Sequence, residues 1–592
     1  MPVPTSTLIN SDSELSTDDR MEQQRRIWEQ RHAEEQERRR RAEQQRIGSP
    51  FKHPWWQPFG VIGPAPRCLN EYLTMEISNS IRSKPNWESK YKNEEICQKW
   101  IKEIKDQCKD KTNSIDQIIE FVFKELEWYE RVERELGAFK VGCDDKILYS
   151  DAAISESLKN NFKSGVDKLV ASFNGNFDYH PGSDQAVVDL VHPSLFVVQY
   201  DKTPVIRNGV LEVVKYHEEI QNVKPDVDCY GISEKFQWLP ALMAKNSSGK
   251  FEFESYINNL HPVKHKDLYD SIGAIFNAAI PGLNCTLTRY ASKEHIRIPI
   301  PIGNDAYTEE YIRAHEELDL ELEREAEETG VDYDWERMEE FEETKAQFLR
   351  EIIPKWEGDP EFDKPINLSN FDNLKVIVKL ADIELTPERP SYPGGSWHVE
   401  GAINEDIVAT VLYYYDIENI SESKLSFRTG FEDPQYEQGD NVYTEVIFGL
   451  HDEDIMVKDI GNIEAKEDRI VIFPNMFQHH VDPFELTDKT KPGRRRILCF
   501  FIVDPYNDKV LSSKQVPPQN NEWWNDATLD YLFPNNLKER ILDLKNGETW
   551  PMTFEHAAIV REALMEERSA RESLDDGYNE SAFMRTFSLC EH

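Results

Sequence analysis

A chain of 592 residues is too long for one small core, and with 39% apolar and 11% aromatic side chains it can bury more than one, which gives a prior of about two to four folded units. A net charge of −41 excludes a general nucleic-acid binder, because phosphate affinity comes from clustered Lys and Arg. No apolar run approaches the roughly 20 residues that span a bilayer, and the acidic start has no signal-peptide core.

The eight cysteines lie scattered at 68, 97, 108, 143, 229, 285, 499 and 590 with no C-x-x-C pair. That pattern excludes a disulfide scaffold and a zinc ribbon and fits a reducing compartment, cytoplasmic or nuclear. Residues 1–16 are rich in Ser, Thr and Pro and are expected to lack fixed structure. The stretch 17–45, which includes Arg38-Arg-Arg-Arg41, is polar on every side and predicts a solvated helix held by i,i+4 pairs, so 1–49 form a charged leader. Four consecutive arginines could serve as a nuclear address, but the Glu residues interspersed around them favour a plain solvated face.

An aromatic loop at 51–59 opens a helical N-terminal domain, 50–180. Leu69, Tyr72, Leu73 and Ile77 recur at helical spacing, as do Trp100, Ile101 and Ile104, and then Ile118, Ile119, Phe121, Val122 and Leu126. Strand-like runs begin at 186–200 and 236–240, and Tyr256-Ile-Asn-Asn-Leu-His-Pro262 leads towards a helix ending near Ala279. Residues 305–343 hold eighteen acidic and three basic side chains, so 305–350 read as a solvated helical insertion or tether. Its functional alternative is an electrostatic recruiter of a basic protein segment.

Strands are expected at 374–385, 407–415, 441–450, 469–473 and 496–503. Short β-branched and aromatic runs at this spacing suggest an α+β fold with a double-stranded β-helix, or jelly roll, over 181–520. Amphipathic helices at 535–545 and 554–572 make 521–592 a helical tail.

Chemistry concentrates at Ser391-Tyr-Pro-Gly-Gly-Ser-Trp-His-Val-Glu-Gly401. In an extended strand His398 and Glu400 project from one face, and Gln478-His479-His480-Val481 can add an imidazole. Two histidines and a carboxylate on one side of an ion form the facial triad of a non-haem Fe(II) oxygenase, with positions left open for cosubstrate and O2; a structural zinc site closes them all. A lone His-x-Glu is more often an ordinary strand pair, and His192, His261 and His265 read as structural. The combination gains weight from Gly493-Arg494-Arg495-Arg496, since a guanidinium on a neighbouring strand is what the far carboxylate of 2-oxoglutarate needs.

Tyr392-Pro-Gly-Gly395, His398-Val-Glu400 and Thr410-Val-Leu-Tyr-Tyr-Tyr-Asp416, followed by Asp468-Arg-Ile-Val-Ile-Phe473 and a His-x-Val at 479–481, resemble the core of prolyl-hydroxylase-type 2-oxoglutarate/Fe(II) dioxygenases. Residues 50–520, with Tyr256-Ile-Asn-Asn-Leu-His-Pro262 and Val516-Pro-Pro-Gln519, resemble more closely an uncharacterised, mainly fungal family of domain-of-unknown-function proteins within that superfamily. The resemblance implies His398, Glu400 and His479 as iron ligands and catalytic residues, with Arg495 and Tyr414 holding 2-oxoglutarate. His480 for His479, and Arg496 for Arg495, remain the alternatives one register away. Glu400 departs from the Asp of most of the superfamily by one methylene but is still a hard oxygen ligand. The expected activity is hydroxylation, or demethylation through hydroxylation; the rivals are an inactive dioxygenase-like scaffold for protein partners and a cupin-like binding module with another divalent metal.

Overall fold

The computed structural model describes residues 49–51, 64–223, 231–436, 440–525, 550–572, 583 and 585–588. The charged leader, the aromatic loop beyond Phe51 and the expected helix at 535–545 lie outside the described residues.

The N-terminal helices α1 (Leu69–Arg82), α2 (Glu94–Cys108) and α3 (Ile115–Leu136) form where the apolar spacing predicts them. On α3, Ile118, Ile119, Val122, Leu126 and Tyr129 make one buried stripe, the signature of a helix packed on one side. Between α3 and α4 (Glu156–Ser172), strands β1 (Lys140–Val141) and β2 (Leu148–Ser150) leave the helical layer and join the main sheet. The N-terminus of α4 is capped by Ser155, whose Oγ accepts from Leu158 N at 3.3 Å, satisfying one of the orphan amides.

After β3 (Val187–Val191), β4 (Ala241–Lys245) and β5 (Phe251–Phe253), helix α5 runs from Lys266 to Ala291 with Pro281 inside it. The expected end near Ala279 is thus passed. Proline removes one backbone donor there, but Phe276, Ala279, Leu283 and Leu287 are buried on both sides of it and hold the helix against the sheet.

The acidic stretch forms helices α6 (Glu309–Thr329) and α7 (Trp335–Glu342), whose only fully buried residues among those described are Tyr311, Leu322 and Met338. Tyr311 stacks on Phe341 at 5.4 Å between ring centroids, which fastens one helix to the other.

Next come β6 (Asn373–Leu385), β7 (Ser391–Tyr392), β8 (Ile407–Glu418), β9 (Ser423–Gly430), helix α8 (Asn441–Phe448), β10 (Val457–Ala465), β11 (Ile470–Pro474), β12 (Gln478–Val481), β13 (Phe484–Glu485) and β14 (Gly493–Val503), with helix α9 (Phe554–Glu572) packing outside. The main sheet is antiparallel in the order β1-β2-β11-β8-β14-β6-β4-β5, with β3 also paired to β6. A three-stranded sheet, β10-β9-β12, stands apart from it.

Alternation sorts the two faces of the main sheet. Leu374, Val376, Val378 and Leu380 of β6 and Leu498, Phe500 and Ile502 of β14 pack with the helices. Ile377, Cys499, Phe501, Leu412 and Tyr414 turn the other way and meet Leu425, Phe427, Ile460 and Ile463 of the small sheet. The result is a mixed fold in which helices cover one face of an antiparallel sheet and a second antiparallel sheet covers the other.

The strand expected at 441–450 is corrected to α8. Its β-branched residues favour a strand only weakly, whereas Asp440 Oδ1 accepts from Tyr443 N at 3.0 Å and Gly449, at φ 65°, ends the helix. Those two caps, with Tyr443, Ile447 and Phe448 buried against Tyr307 and Tyr311, decide the conformation. No helix among the described residues is long and apolar enough to cross a membrane.

Candidate metal centre

His398 follows the loop made by Tyr392-Pro-Gly-Gly395, and a glycine is required in it. Gly394 has φ +99°, and a Cβ there would stand 2.9 Å from the Val481 carbonyl oxygen, a conformation and a clearance that L side chains rarely tolerate. The loop lies against β12 through Gly395 N, which donates to Val481 O at 3.0 Å. The chain then makes a single reciprocal bridge: His398 N donates to His479 O at 3.2 Å and His479 N to His398 O at 3.0 Å. The extended strand expected through His398 and Glu400 is reduced to that one bridge, after which Gly401, at φ +75°, turns the backbone.

Asn475 takes over where the ladder stops. Its side chain accepts from Glu400 N at 2.9 Å and donates to Glu400 O at 2.8 Å and Ile407 O at 3.1 Å. The backbone of the carboxylate residue is therefore pinned between β8 and the end of β11.

These supports bring the three side chains together. Glu400 Oε1 lies 3.7 Å from His398 Nε2 and 3.5 Å from His479 Nε2, and the three donor atoms all fall within 4.8 Å of one another. Two atoms bonded to one ion at about 2 Å stand at most about 4 Å apart, so both histidine-carboxylate separations suit a shared ion. His398 Nδ1 donates to Ser396 O at 2.9 Å, which leaves the Nε2 lone pair facing Glu400. His480, by contrast, turns to Asp482 at 3.1 Å and lies against Trp397, tilted, at 4.0 Å between ring centroids.

Electrostatics favour the ligating form at Glu400 and His479, whereas at His398 burial is outweighed by the hydrogen bond to and the charge of Glu400, which push its imidazole up until an ion takes the proton's place. Burial opposes ionisation of Glu400, yet the imidazoles of His398 and His479 hold its carboxyl well below the ordinary carboxylate range. Burial, and then the charge of His398, push the His479 imidazole down. An ionised carboxylate beside a neutral imidazole is what a divalent ion requires.

The three arginines of β14 separate by face. Arg494 pairs with Asp416 at 2.8 Å and Glu418 at 3.1 Å, and Arg496 pairs with Asp382 at 3.0 Å. Arg495 turns inward, is 1% exposed, and among the described residues has no carboxylate partner. Its Nη2 donates to Tyr414 Oη at 3.1 Å, while Nε and Nη1 are buried without an acceptor. Cys499, four positions along on the same face, feels Lys379, Glu400 and Arg495 together, and burial first of all pushes its thiol up to about 12. Tyr414, the partner of Arg495, shares one buried cluster with Phe427 and Phe473, which themselves lie against His479, so the guanidinium and the triad border one interior.

A second His/Asp/His group, His180, Asp189 and His192, also has donor atoms within 4.8 Å of one another, although His192 reads as structural in the sequence. His180 Nδ1 donates to Asp189 Oδ2 at 2.8 Å, and Arg561 Nη1 stands 3.5 Å from the same oxygen. Ser194 N donates to His192 Nδ1 at 3.2 Å. One carboxylate already facing an imidazole N–H and a guanidinium makes a poor cation site. His261 sits away from both groups, against Trp523 at 5.1 Å.

His398 and Glu400 of the triad and both histidines of the second group line a cavity of about 200 Å³ with Trp238, Lys379 and Arg568. Sequence reasoning passed over Asn475 and Lys379. Lys379 carried a readable signal, a charge set between Ile377 and Ala381 on the interior face of β6; Asn475, directly after Pro474, carried none beyond its polarity.

Residues 116–527 match the family described as "Protein of unknown function (DUF4246)", and residues 27–103 match "Domain of unknown function DUF4246, N-terminal". No curated protein matches the chain. Among solved structures, IDO from Bacillus thuringiensis is 14% identical over 23% of this chain and 47% of its own, with a TM-score of 0.16. The Fe(II)/(alpha)ketoglutarate-dependent dioxygenase TqaL is 18% identical over 25% of this chain and 48% of its own, at 0.15. A bsmA homolog from Methylobium petroleophilum PM1 is 8% identical over 22% and 42%, at 0.14. The chain thus spans less than half the length of each of these structures.

Proposed function

The chain belongs to the DUF4246 family, and from that premise we propose that it is a 2-oxoglutarate- and Fe(II)-dependent dioxygenase with a double-stranded β-helix core that hydroxylates, or demethylates through hydroxylation, an organic substrate. The observation that carries the reading is a buried guanidinium, Arg495, with two N–H groups lacking acceptors, bordering the same interior as a His-x-Glu and a distant His. Burying a fixed charge without a counterion costs several kcal/mol, so Arg495 calls for an anion, and a dicarboxylic acid reaching from the triad supplies one.

The residues fit both groups. Two imidazoles and one hard oxygen suit Fe(II), and their grouping on one side leaves other positions open. When bound, iron and 2-oxoglutarate supply the activation of O2, with the oxoacid leaving as succinate and CO2 and one oxygen atom passing to a substrate C–H bond.

What the protein itself does is orient and exclude. Arg495 and Tyr414 hold the far carboxylate, Arg495 by a charge-assisted pair and Tyr414 through the hydroxyl proton left free when its oxygen accepts from Arg495. The reciprocal His398–His479 bridge and the Asn475 clamp keep the three ligands on one side. Phe427, Phe473 and Val471 wall the interior against water.

Succinate release from anaerobically iron-loaded protein, started with O2 and 2-oxoglutarate, tests this reading. Turnover above the metal-free background that disappears in His398→Ala and Arg495→Gln is the expected result; turnover unchanged by both substitutions, or none in the wild type, contradicts it.

A further inference from the structure

The cavity beside the triad holds one cation, Lys379, that no carboxylate contacts, and a second, Arg568, that Glu405 satisfies only in part. Lys379 projects from β6 opposite Cys499, between Ile377 and Ala381 on the same face. Glu400 and Asp189 are the carboxylates that act on it, yet no hydrogen bond or ion pair joins its ammonium group to any described residue. Glu400 faces the triad histidines, and Asp189 is held by His180 at 2.8 Å and by Arg561 at 3.5 Å.

Arg568 arrives from α9 on the opposite wall. Its guanidinium lies 4.2 Å over the Trp238 ring and reaches Glu405 at 2.8 Å with Nη2, while Nε is buried without an acceptor. His192 adds a donor: because Ser194 N donates to Nδ1, the ring proton of the neutral imidazole sits on Nε2. An ion in the triad offsets Glu400, and the remaining lining is then cationic and donor-rich. At about 200 Å³ the space is smaller than the roughly 300–1,000 Å³ clefts that take drug-sized ligands.

From this we infer that Lys379, His192 and Arg568 form a subsite for a carboxylate of the prime substrate, making that substrate a small organic acid. The inference rests on the dioxygenase reading of the triad. It also runs against the expectation of a basic protein segment, because the acidic surface of α6 and α7 is not what lines the cavity.

Calorimetry on the full chain loaded with redox-inert Mn(II) and saturated with 2-oxoglutarate tests it, with hexanoate and its neutral counterpart hexanamide as probes. Hexanoate is expected to bind about tenfold tighter than hexanamide, the effect of one charge-assisted hydrogen bond. Lys379→Met erases that preference, Lys379→Arg keeps it, and neither changes affinity for 2-oxoglutarate. Equal affinity of the two probes in the wild type overturns the inference without recourse to any variant. A preference that survives Lys379→Met overturns it too, and loss of 2-oxoglutarate binding in Lys379→Met reassigns the lysine to the cosubstrate. Failure of the wild type to bind 2-oxoglutarate removes the dioxygenase reading alone, since the same two probes titrated into the Mn(II)-loaded protein still decide the subsite.

Discussion

Asn475 holds the Glu400 backbone through two hydrogen bonds and ties it to Ile407 O through a third, where no strand partner exists. Residues that orient a ligand typically affect metal affinity by about 10–100-fold when changed. Asn475→Ala is therefore expected to weaken Mn(II) binding by that factor, read by calorimetry, while far-ultraviolet circular dichroism stays unchanged. His398, Glu400 and His479, singled out in the sequence by their order and by the family resemblance, are brought together in the structure, and Arg495, singled out by the same resemblance, turns inward. Asn475 was not singled out, because a clamp on a backbone leaves no periodic trace. His192 makes a separate prediction. Burial above all lowers its imidazole from 6.5 to about 3. Between those values the unfolded chain takes up a proton that the folded chain refuses, so stability is lost as pH falls from 6.5 towards 3 and is level above. His192→Gln should flatten that limb in urea midpoints compared at about pH 4.5 and about pH 7; an unaltered slope assigns the acid sensitivity elsewhere.

The loop between β7 and His398 fixes the first ligand, and Gly394 sets its path. With φ +99° and the Val481 carbonyl 2.9 Å from where a Cβ would sit, Gly394→Ala should cost about 1–3 kcal/mol and lower metal affinity with it. Thermal melts and Mn(II) titration on the same preparation check this; a drop in stability with full affinity detaches the loop from the site. Elements were legible where one face is apolar, as on α3, β6 and β14. They were lost where caps outweigh propensity, as on α8, and where polar residues fill every second position. Strand β9, Ser423–Gly430, alternates buried and half-buried positions, and its Lys424 and Arg428 hide it from a search for apolar runs. Its neighbour β10 is broken by Gly461, at φ +116°, where a Cβ would meet Cys143 at 2.8 Å.

At the scale of the molecule, a net charge of −41 repels itself, and α6 and α7 concentrate that charge on exposed faces. Raising ionic strength from about 0.02 M to about 0.15 M, where the screening length falls to about 8 Å, should raise the thermal midpoint in differential scanning calorimetry; a flat response means that ion pairs already balance the surface. The mixed, antiparallel character of the fold was legible from composition and spacing. Which strands pair was not, because β8 and β14, and β6 and β14, meet through sequence separations that no local pattern encodes. The central claim is that a ferrous ion at His398, Glu400 and His479 and a dicarboxylic acid on Arg495 share one interior. Anaerobic titration of Fe(II) into the protein with 2-oxoglutarate, read as the visible charge-transfer absorption of a chelated oxoacid, tests it most directly. The account predicts saturation at one equivalent, loss of the band in His398→Ala, and a band in Arg495→Gln that needs far more 2-oxoglutarate to form. A wild type that develops no band, or a band indifferent to both substitutions, contradicts it.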